Sequence, residues 1–211
     1  MNNGQHSLEQ EGQSKRDQIL QAANQVFSRK GYHRATVDEI IALADTGKGT
    51  VYNYFVNKEQ LFYTLIQEKS EPFETALAAV VQSNQLPLVK VERAIGLFLR
   101  FYTVNADLWR VMMHEMRGFG TEGISHLKPD QQEKYREPFR RTISMVETIL
   151  QEGVQQGVLR DCDTAKAALA LFSVIISLVF QKMVDEDIDG TAKSIADVFL
   201  YGVAQSSIHV S

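Results

Sequence analysis

Apolar residues recur at helical spacing along most of the chain. In the first such segment, Ile19, Ala23 and Phe27 fall on one helical face, and Gly31, which follows two cationic residues, predicts the end of that helix. No segment combines the period-two alternation of a half-buried strand with the turn residues that bound strands. The pattern therefore predicts an all-α fold.

Two short helices joined by a tight turn are predicted next. Thr36 and Glu39 have the spacing of a capping box, in which each side chain accepts a hydrogen bond from a free backbone N–H. In the turn that follows, Asp45 is a residue type that tolerates a left-handed backbone, and Gly47 suits the N-cap of the next helix. That helix is predicted to begin at Lys48 and to end near residue 54.

Longer helices are predicted for the rest of the chain. Asn57 opens a fourth helix with a second capping-box spacing, and Pro72 is expected to kink or end it because proline lacks a backbone N–H. Further helices are predicted near residues 74–83, 88–104, 106–117, 130–156, 163–184 and 190–207, with the main loop at 118–129.

Composition narrows the class of protein. The chain has 211 residues, of which 44% are hydrophobic and 23% charged, as in an ordinary soluble globular protein. One cysteine, Cys162, excludes an internal disulfide framework, and the polar N-terminus lacks the apolar core of a signal peptide. The expected location is therefore the cytoplasm, without a membrane. The net charge of −4 means that any contact with nucleic acid must depend on locally placed charge.

The run DTGKGT at residues 45–50 has two interpretations, a loop that holds a nucleotide or a turn and helix that meet DNA. A phosphate-binding loop needs G-x-x-x-x-G-K-[ST] between a strand and a helix. Here Ala42 stands where the first glycine should be, Gly49 follows the lysine, and the preceding segment is a capped helix. A helix-turn-helix fits the same residues without these conflicts.

The helix after the turn has a small polar face. At 100° per residue, Gly49 and Asn53 point outward and are flanked by Thr50 and Tyr52, while Val51 and Phe55 point inward. An exposed glycine in a helix costs about 1 kcal/mol relative to alanine. We interpret this cost as a requirement for close approach of the backbone to another surface.

These motifs resemble the N-terminal domain of TetR/AcrR-type repressors over roughly residues 15–62. The matching features are F-x-x-x-G-Y at the end of the first helix, a threonine at the start of the second, K-G-T-V-Y-N-Y-F, and N-K-E-x-L. The polar composition of residues 1–12 predicts a disordered tail. The resemblance implies a DNA-binding domain at 13–72, with the helix-turn-helix at about 36–55, and a larger helical effector-binding and dimerisation domain at 73–211. The turn at Asp45, Thr46 and Gly47 departs from the family, which usually has glycine, an aliphatic residue and serine there.

The resemblance also implies the residues that contact DNA. Contacts at or near base edges would come from Lys48, Gly49, Thr50 and Asn53, and phosphate contacts from Thr36, Tyr52, Tyr54 and Lys58. For the two tyrosines, packing against the first helix is the alternative.

Two aromatic and methionine stripes indicate either core or a ligand pocket. The first comprises Phe98, Phe101 and Tyr102, and the second Trp109, Met112, Met113 and Met116. Methionine and tryptophan adapt to apolar ligands, and the resemblance places an effector between these helices. Arg93, Arg100, His114 or Arg117 are candidates to hold an anionic head group.

Two further helices are too apolar for the surface of a monomer, and we interpret them as half of a four-helix homodimer interface. The predicted interface residues are Ala168, Leu171, Phe172, Ile175, Val179, Ile195, Val198 and Phe199.

No pattern supports an enzyme, a metal site or a cofactor, because the five histidines are scattered and Cys162 has no catalytic partner. The sequence therefore predicts a ligand-responsive repressor that binds a pseudo-palindromic operator as a dimer and is released by a small hydrophobic or amphipathic effector. The alternative is a helical protein-interaction module without DNA binding.

Overall fold

Nine α-helices make up the part of the chain that this computed structural model describes, residues 14–117 and 129–202. They are α1 (Lys15–Arg34), α2 (Val37–Leu43), α3 (Lys48–Tyr54), α4 (Lys58–Gln82), α5 (Pro87–Val104), α6 (Ala106–Arg117), α7 (Pro129–Gln155), α8 (Thr164–Phe180) and α9 (Ile188–Tyr201). No strand occurs within these ranges, and the all-α prediction is confirmed. The predicted tail at residues 1–12 lies outside the described residues, as does the predicted loop at 118–129 except for Pro129, which begins α7.

In the N-terminal part of the chain, α2, α3 and the start of α4 pack against α1. Phe27 and Phe62 are buried at the centre, with their ring centroids 4.9 Å apart in an edge-to-face arrangement. Gly31 interrupts α1 with a φ of 78°, a left-handed backbone that only glycine adopts without strain. The predicted helix stop therefore falls at this glycine, and one short turn follows it before α2.

Helix α4 continues through Pro72, which corrects the prediction of two separate helices. It is a single helix of 25 residues that joins the N-terminal helices to the larger bundle. Pro72 removes one backbone hydrogen bond, but Phe73, Leu77 and Val80 bury their side chains beyond it. This burial keeps the second half of the helix in place. The predicted domain boundary at residue 72 thus falls inside α4.

Helix α5 lies at the centre of the larger bundle and contacts α4, α7, α8 and α9. Its Lys90 side chain is 4% exposed and joins three elements. The ammonium donates to the Val81 carbonyl at 3.0 Å and to Glu152 Oε2 on α7 at 2.7 Å. A buried charge with these partners fixes the position of α5 against α7.

Helix α8 ends at Phe180, four residues before its predicted end. Lys182 adopts a φ of 56°, and the N–H of Met183 donates to the Leu178 carbonyl at 2.9 Å. This left-handed turn terminates the helix. No helix within the described ranges is long and apolar enough to cross a membrane. The predicted end of the last helix, at 207, lies beyond residue 202.

The predicted dimer residues on α8 and α9 mostly belong to the core of the protomer, and this corrects the prediction. Periodicity marks an apolar face as buried, but it does not distinguish a core from an interface. Only Val198, which is 53% exposed, and the half-buried Phe199 reach the surface. The buried positions are Ala168, Leu171, Phe172, Ile175, Val179 and Ile195.

Candidate DNA-binding surface and effector cavity

The turn between α2 and α3 has the hydrogen bonds of a Schellman motif. The N–H of Thr46 donates to the Ile41 carbonyl at 3.3 Å, and the N–H of Asp45 donates to the Ala42 carbonyl at 3.4 Å. Asp45 has the predicted left-handed backbone, with a φ of 46°. Gly47 then serves as the N-cap of α3 without a side-chain hydrogen bond. The turn therefore forms although its residues depart from the usual pattern.

The start of α2 is held by the predicted capping box. Thr36 Oγ1 accepts from the Glu39 N–H at 3.3 Å, and Glu39 Oε2 accepts from the Thr36 N–H at 3.2 Å. Glu39 also forms an ion pair with Lys30 on α1. The hydrogen bond with Lys30, followed by the one with the Thr36 backbone, lowers the pKa of Glu39. These contacts set the angle between α1 and the helix-turn-helix.

Helix α3 presents the small polar face that its sequence predicts. Val51 and Phe55 are 1% and 2% exposed and point into the core. Tyr52 and Tyr54 are 44% and 45% exposed, so neither ring is a core residue. Of the remaining predicted contacts, Thr36, Lys48, Gly49 and Asn53 are exposed and Thr50 is half-buried.

Gly49 lies in open space. A Cβ atom built on it would have no neighbour within 4 Å, and its backbone is not left-handed. No contact among the described residues therefore requires glycine at this position. Since glycine destabilises an exposed helix, the residue is consistent with close approach of another molecule.

The two lysines predicted to contact DNA have different surroundings. Lys48 is exposed, and its Nζ lies 3.4 Å from Asp38 Oδ1, a distance at which a surface ion pair contributes little. Lys58 instead donates to the carbonyls of Tyr32 and Ala35 at 3.0 and 3.1 Å and lies over the Tyr32 ring. This side chain ties α4 to the end of α1. The phosphate contact of Lys58 stays a prediction.

A cavity of about 460 Å³ opens between α4, α5, α6 and α7. Phe73, Phe101, Tyr102 and Trp109 form connected ring contacts along its wall, the closest being Phe73 to Phe101 at 4.5 Å between centroids. Charged residues from α1, α4 and α7 line it as well: Arg16, Glu68, Glu71, Glu74 and Arg141.

Two polar aromatic groups in this cavity have unusual environments. Trp109 is 5% exposed, and its Nε1 has no hydrogen-bond partner in the part of the chain that the structure describes. Burial, followed by the negative charge of Glu74, raises the pKa of the Tyr102 hydroxyl, which therefore stays protonated. A buried N–H without an acceptor is costly, so Trp109 marks a place where a bound molecule can supply one.

Arg16 connects the cavity to the helix-turn-helix. It lines the cavity and forms an ion pair with Glu68 on α4. Its guanidinium also lies 5.8 Å from the centroid of the Phe55 ring, at the residue that ends α3. One side chain thus contacts both the cavity wall and the end of α3.

Two family models match the chain. Residues 19–64 match "Bacterial regulatory proteins, tetR family", and residues 85–180 match "Tetracyclin repressor-like, C-terminal domain". Together they cover more than half of the sequence. The chain belongs to the TetR family. As a TetR family member it is a DNA-binding transcriptional regulator, and the matches indicate no enzyme family.

Individual TetR family relatives are similar over most of their length. The uncharacterized HTH-type transcriptional regulator YhgD of Bacillus subtilis is 28% identical over 77% of this chain and 81% of its own. The fatty acid degradation regulator FadR of Bacillus halodurans is 26% identical, with a TM-score of 0.73, and covers 89% of this chain and 99% of its own. FadR of Bacillus subtilis in complex with stearoyl-CoA is 24% identical, also with a TM-score of 0.73, over 89% and 98%.

Some of the residues predicted to form a ligand pocket line the cavity of this TetR family protein. Of the predicted residues, Phe101, Tyr102, Trp109 and Met112 line it. Phe98 is 2% exposed and belongs to the core, and Met113 is half-buried and does not line the cavity. The side chain of Met116 lies outside the described residues.

The prediction missed the walls that α4 and α7 contribute to the cavity. Phe73 follows Pro72 in α4, and Phe139 follows Pro138 in α7. The tripeptide Glu-Pro-Phe occurs at both places, residues 71–73 and 137–139, and is the signal that was available in the sequence. A proline inside a helix removes one backbone hydrogen-bond donor.

Two of the four predicted anchors for an anionic head group, Arg93 and Arg100, do not line this cavity. Arg100 points to α9, where its Nη2 lies 2.6 Å from Asp189 Oδ1. Arg93 is exposed on α5 and does not line the cavity. The side chains of His114 and Arg117 lie outside the described residues.

Proposed function

We propose that this TetR family protein is a ligand-responsive repressor that binds a pseudo-palindromic operator as a homodimer. A hydrophobic or amphipathic effector in the cavity between α4, α5, α6 and α7 releases it from DNA. The observation that carries this proposal is the position of Arg16, between the cavity wall and the end of α3.

Helix α3 is the proposed recognition helix. Lys48, Gly49, Thr50 and Asn53 would meet base edges in the major groove, where a small face lets the backbone come close. Thr36, Tyr52 and Tyr54 would contact phosphates. Their exposure supports this assignment, because phosphate contacts require accessible N–H and O–H donors.

Exposed apolar residues on α8 and α9 support a dimer of this chain. Leu169 and Val174 are each 48% exposed on α8, and Val198 and Tyr201 are 53% and 70% exposed on α9. Ser173 and Ser177 lie beside them on α8 and would permit close helix packing. These residues, rather than the buried ones, form the proposed interface, and two-fold symmetry would then present two recognition helices.

The effector is proposed to be largely apolar because aromatic rings line the cavity. The Bacillus subtilis FadR structure, which contains stearoyl-CoA, supports a hydrophobic effector in a protein of this fold. Binding would favour a state in which the two α3 helices have a different spacing, and operator affinity would fall.

Arg16→Ala tests the proposed connection between cavity and DNA. Hydrophobic compounds that raise the melting temperature are first selected and then measured for release of operator DNA. We expect the variant to bind such a compound. The ratio of its operator affinities without and with the compound should be about tenfold smaller than for the unmodified protein, because the contact with Phe55 is removed. Fluorescence anisotropy of labelled operator, with and without compound, gives this ratio.

Arg93→Ala is the matched control, because Arg93 is exposed and outside the cavity. It should retain the full ratio. An Arg16→Ala protein with an unchanged ratio would exclude Arg16 as the connection. If no compound released the operator from the unmodified protein, the proposal of an effector-released repressor would fail.

A further inference from the structure

The charged residues around the cavity determine which class of molecule it favours. Among the described residues, three carboxylates line it, on Glu68, Glu71 and Glu74, against two cations, Arg16 and Arg141. All three carboxylates come from neighbouring turns of α4. Among the lining residues the charge is therefore negative at this wall.

Both lining cations are already paired. Arg16 forms an ion pair with Glu68. Arg141 lies 3.5 Å from Glu74 and 3.5 Å from Glu137. An anionic ligand would have to compete with these carboxylates for the same guanidinium groups. Glu71, in contrast, has no partner among the residues that the structure describes, so one acceptor group remains for a ligand. A carboxylate without a partner favours a ligand that is positively charged or carries hydrogen-bond donors.

The aromatic wall is suited to the same kind of ligand. Phe73, Phe101, Tyr102 and Trp109 are in mutual ring contact. The faces of such rings attract organic cations, because the ring quadrupole places negative potential there. Carboxylates beside aromatic rings therefore act in the same direction on an ammonium group.

Trp109 specifies one more feature of the ligand. Trp109 lines the cavity, and its Nε1 is buried without a hydrogen-bond partner among the described residues. A carbonyl or ether oxygen in the apolar part of a ligand would satisfy this donor. The ligand thus needs an acceptor in its buried part and a positive charge towards Glu71.

We infer that the cavity selects hydrophobic organic cations that carry a buried hydrogen-bond acceptor, in preference to anions of the same length. Only the effect of such a ligand on operator binding rests on the proposed function. The selectivity itself is a property of the cavity and is measured without DNA.

Two probes with the same acyl chain test this selectivity. Lauroylcholine and N-lauroylglycine both carry a carbonyl acceptor, but their head groups have opposite charge. Trp109 is the one tryptophan of the chain, so intrinsic fluorescence reports occupancy of the cavity directly. We expect lauroylcholine to bind the full-length protein about tenfold more tightly than N-lauroylglycine. Calorimetry below the micelle concentration provides a second readout.

Glu71→Gln separates the head-group contact from general hydrophobicity. This substitution should weaken the binding of lauroylcholine by about fivefold and leave the binding of N-lauroylglycine unchanged or slightly tighter. Glu92→Gln on α5 is the matched control, because Glu92 is exposed and outside the cavity. Trp109→Phe, measured by calorimetry, should weaken both probes because both lose the same N–H donor.

The inference is overturned if N-lauroylglycine binds as tightly as lauroylcholine, if neither binds, or if Glu71→Gln and Glu92→Gln behave alike. Operator release is a separate outcome. Cation selectivity without release would support this inference and contradict the proposed function. Release of the operator by N-lauroylglycine alone would support the proposed function and contradict this inference.

Discussion

Replacing Gly49 with leucine should lower operator affinity by about 100-fold, or about 3 kcal/mol, while raising the stability of the protein. The affinity falls because a branched side chain would hold the α3 backbone away from the groove and disturb several contacts at once. Stability rises by up to about 1 kcal/mol, since leucine is a better helix former than glycine and a Cβ here meets no neighbour within 4 Å. Gly49→Ala should change both quantities in the same directions, with a smaller loss of affinity.

Titration of labelled operator gives the affinity, and thermal unfolding gives the stability. Ala79→Leu is the matched control, because Ala79 is exposed on α4 at the far end from α3. It should leave operator affinity unchanged. If Gly49→Leu were more stable and still bound the operator normally, the backbone at Gly49 would not approach DNA.

Replacing Lys90 with alanine should reduce the free energy of unfolding by about 3 kcal/mol, a fall of roughly 6–12 °C in melting temperature. The substitution leaves Glu152 and the Val81 carbonyl without their donor and opens space between α5 and α7. Thermal and urea unfolding measure this loss.

Lys166→Ala is the control, since Lys166 also forms an ion pair, with Asp163, but its side chain is 86% exposed. Its effect should be about 0.5 kcal/mol or less, as for other surface pairs. Equal effects of the two substitutions would show that the Lys90 contact does not hold the bundle together.

The sequence predicted the local structure of the helix-turn-helix in detail because local interactions determine it. The capping box of Thr36, the left-handed Asp45 and the N-cap at Gly47 each depend on residues within a few positions. Helix α3 also exposes the predicted face, since a single helical period fixes which side chains point inward.

Predictions that depended on tertiary contacts were less accurate. Pro72 did not end α4, because distant packing of Phe73 and Leu77 outweighs one lost hydrogen bond. Lys58 binds the carbonyls of Tyr32 and Ala35, which lie 26 and 23 residues away, and no local pattern indicates this.

The larger bundle shows the same limit of periodicity. An apolar stripe indicates that a helix face is buried, but it does not indicate what the face packs against. The residues assigned to a dimer interface on α8 are in fact buried within the protomer. The cavity combines α4, α5, α6 and α7, and its charged wall on α4 emerges only when these helices are assembled. The aromatic and methionine stripes indicated the walls on α5 and α6, and the repeated Glu-Pro-Phe tripeptide was the sequence feature that marked those on α4 and α7.

Selection of bound duplexes from a random pool tests most directly the claim that a dimer reads DNA with α3. The account predicts enrichment of an inverted repeat whose half-sites lie about one helical turn apart, and affinity for it that falls steeply with salt. Lys48→Ala should bind the same repeat more weakly, with a salt dependence reduced by about one ion. Recovery of no common sequence, or of a single half-site bound equally well by Lys48→Ala, would contradict the account.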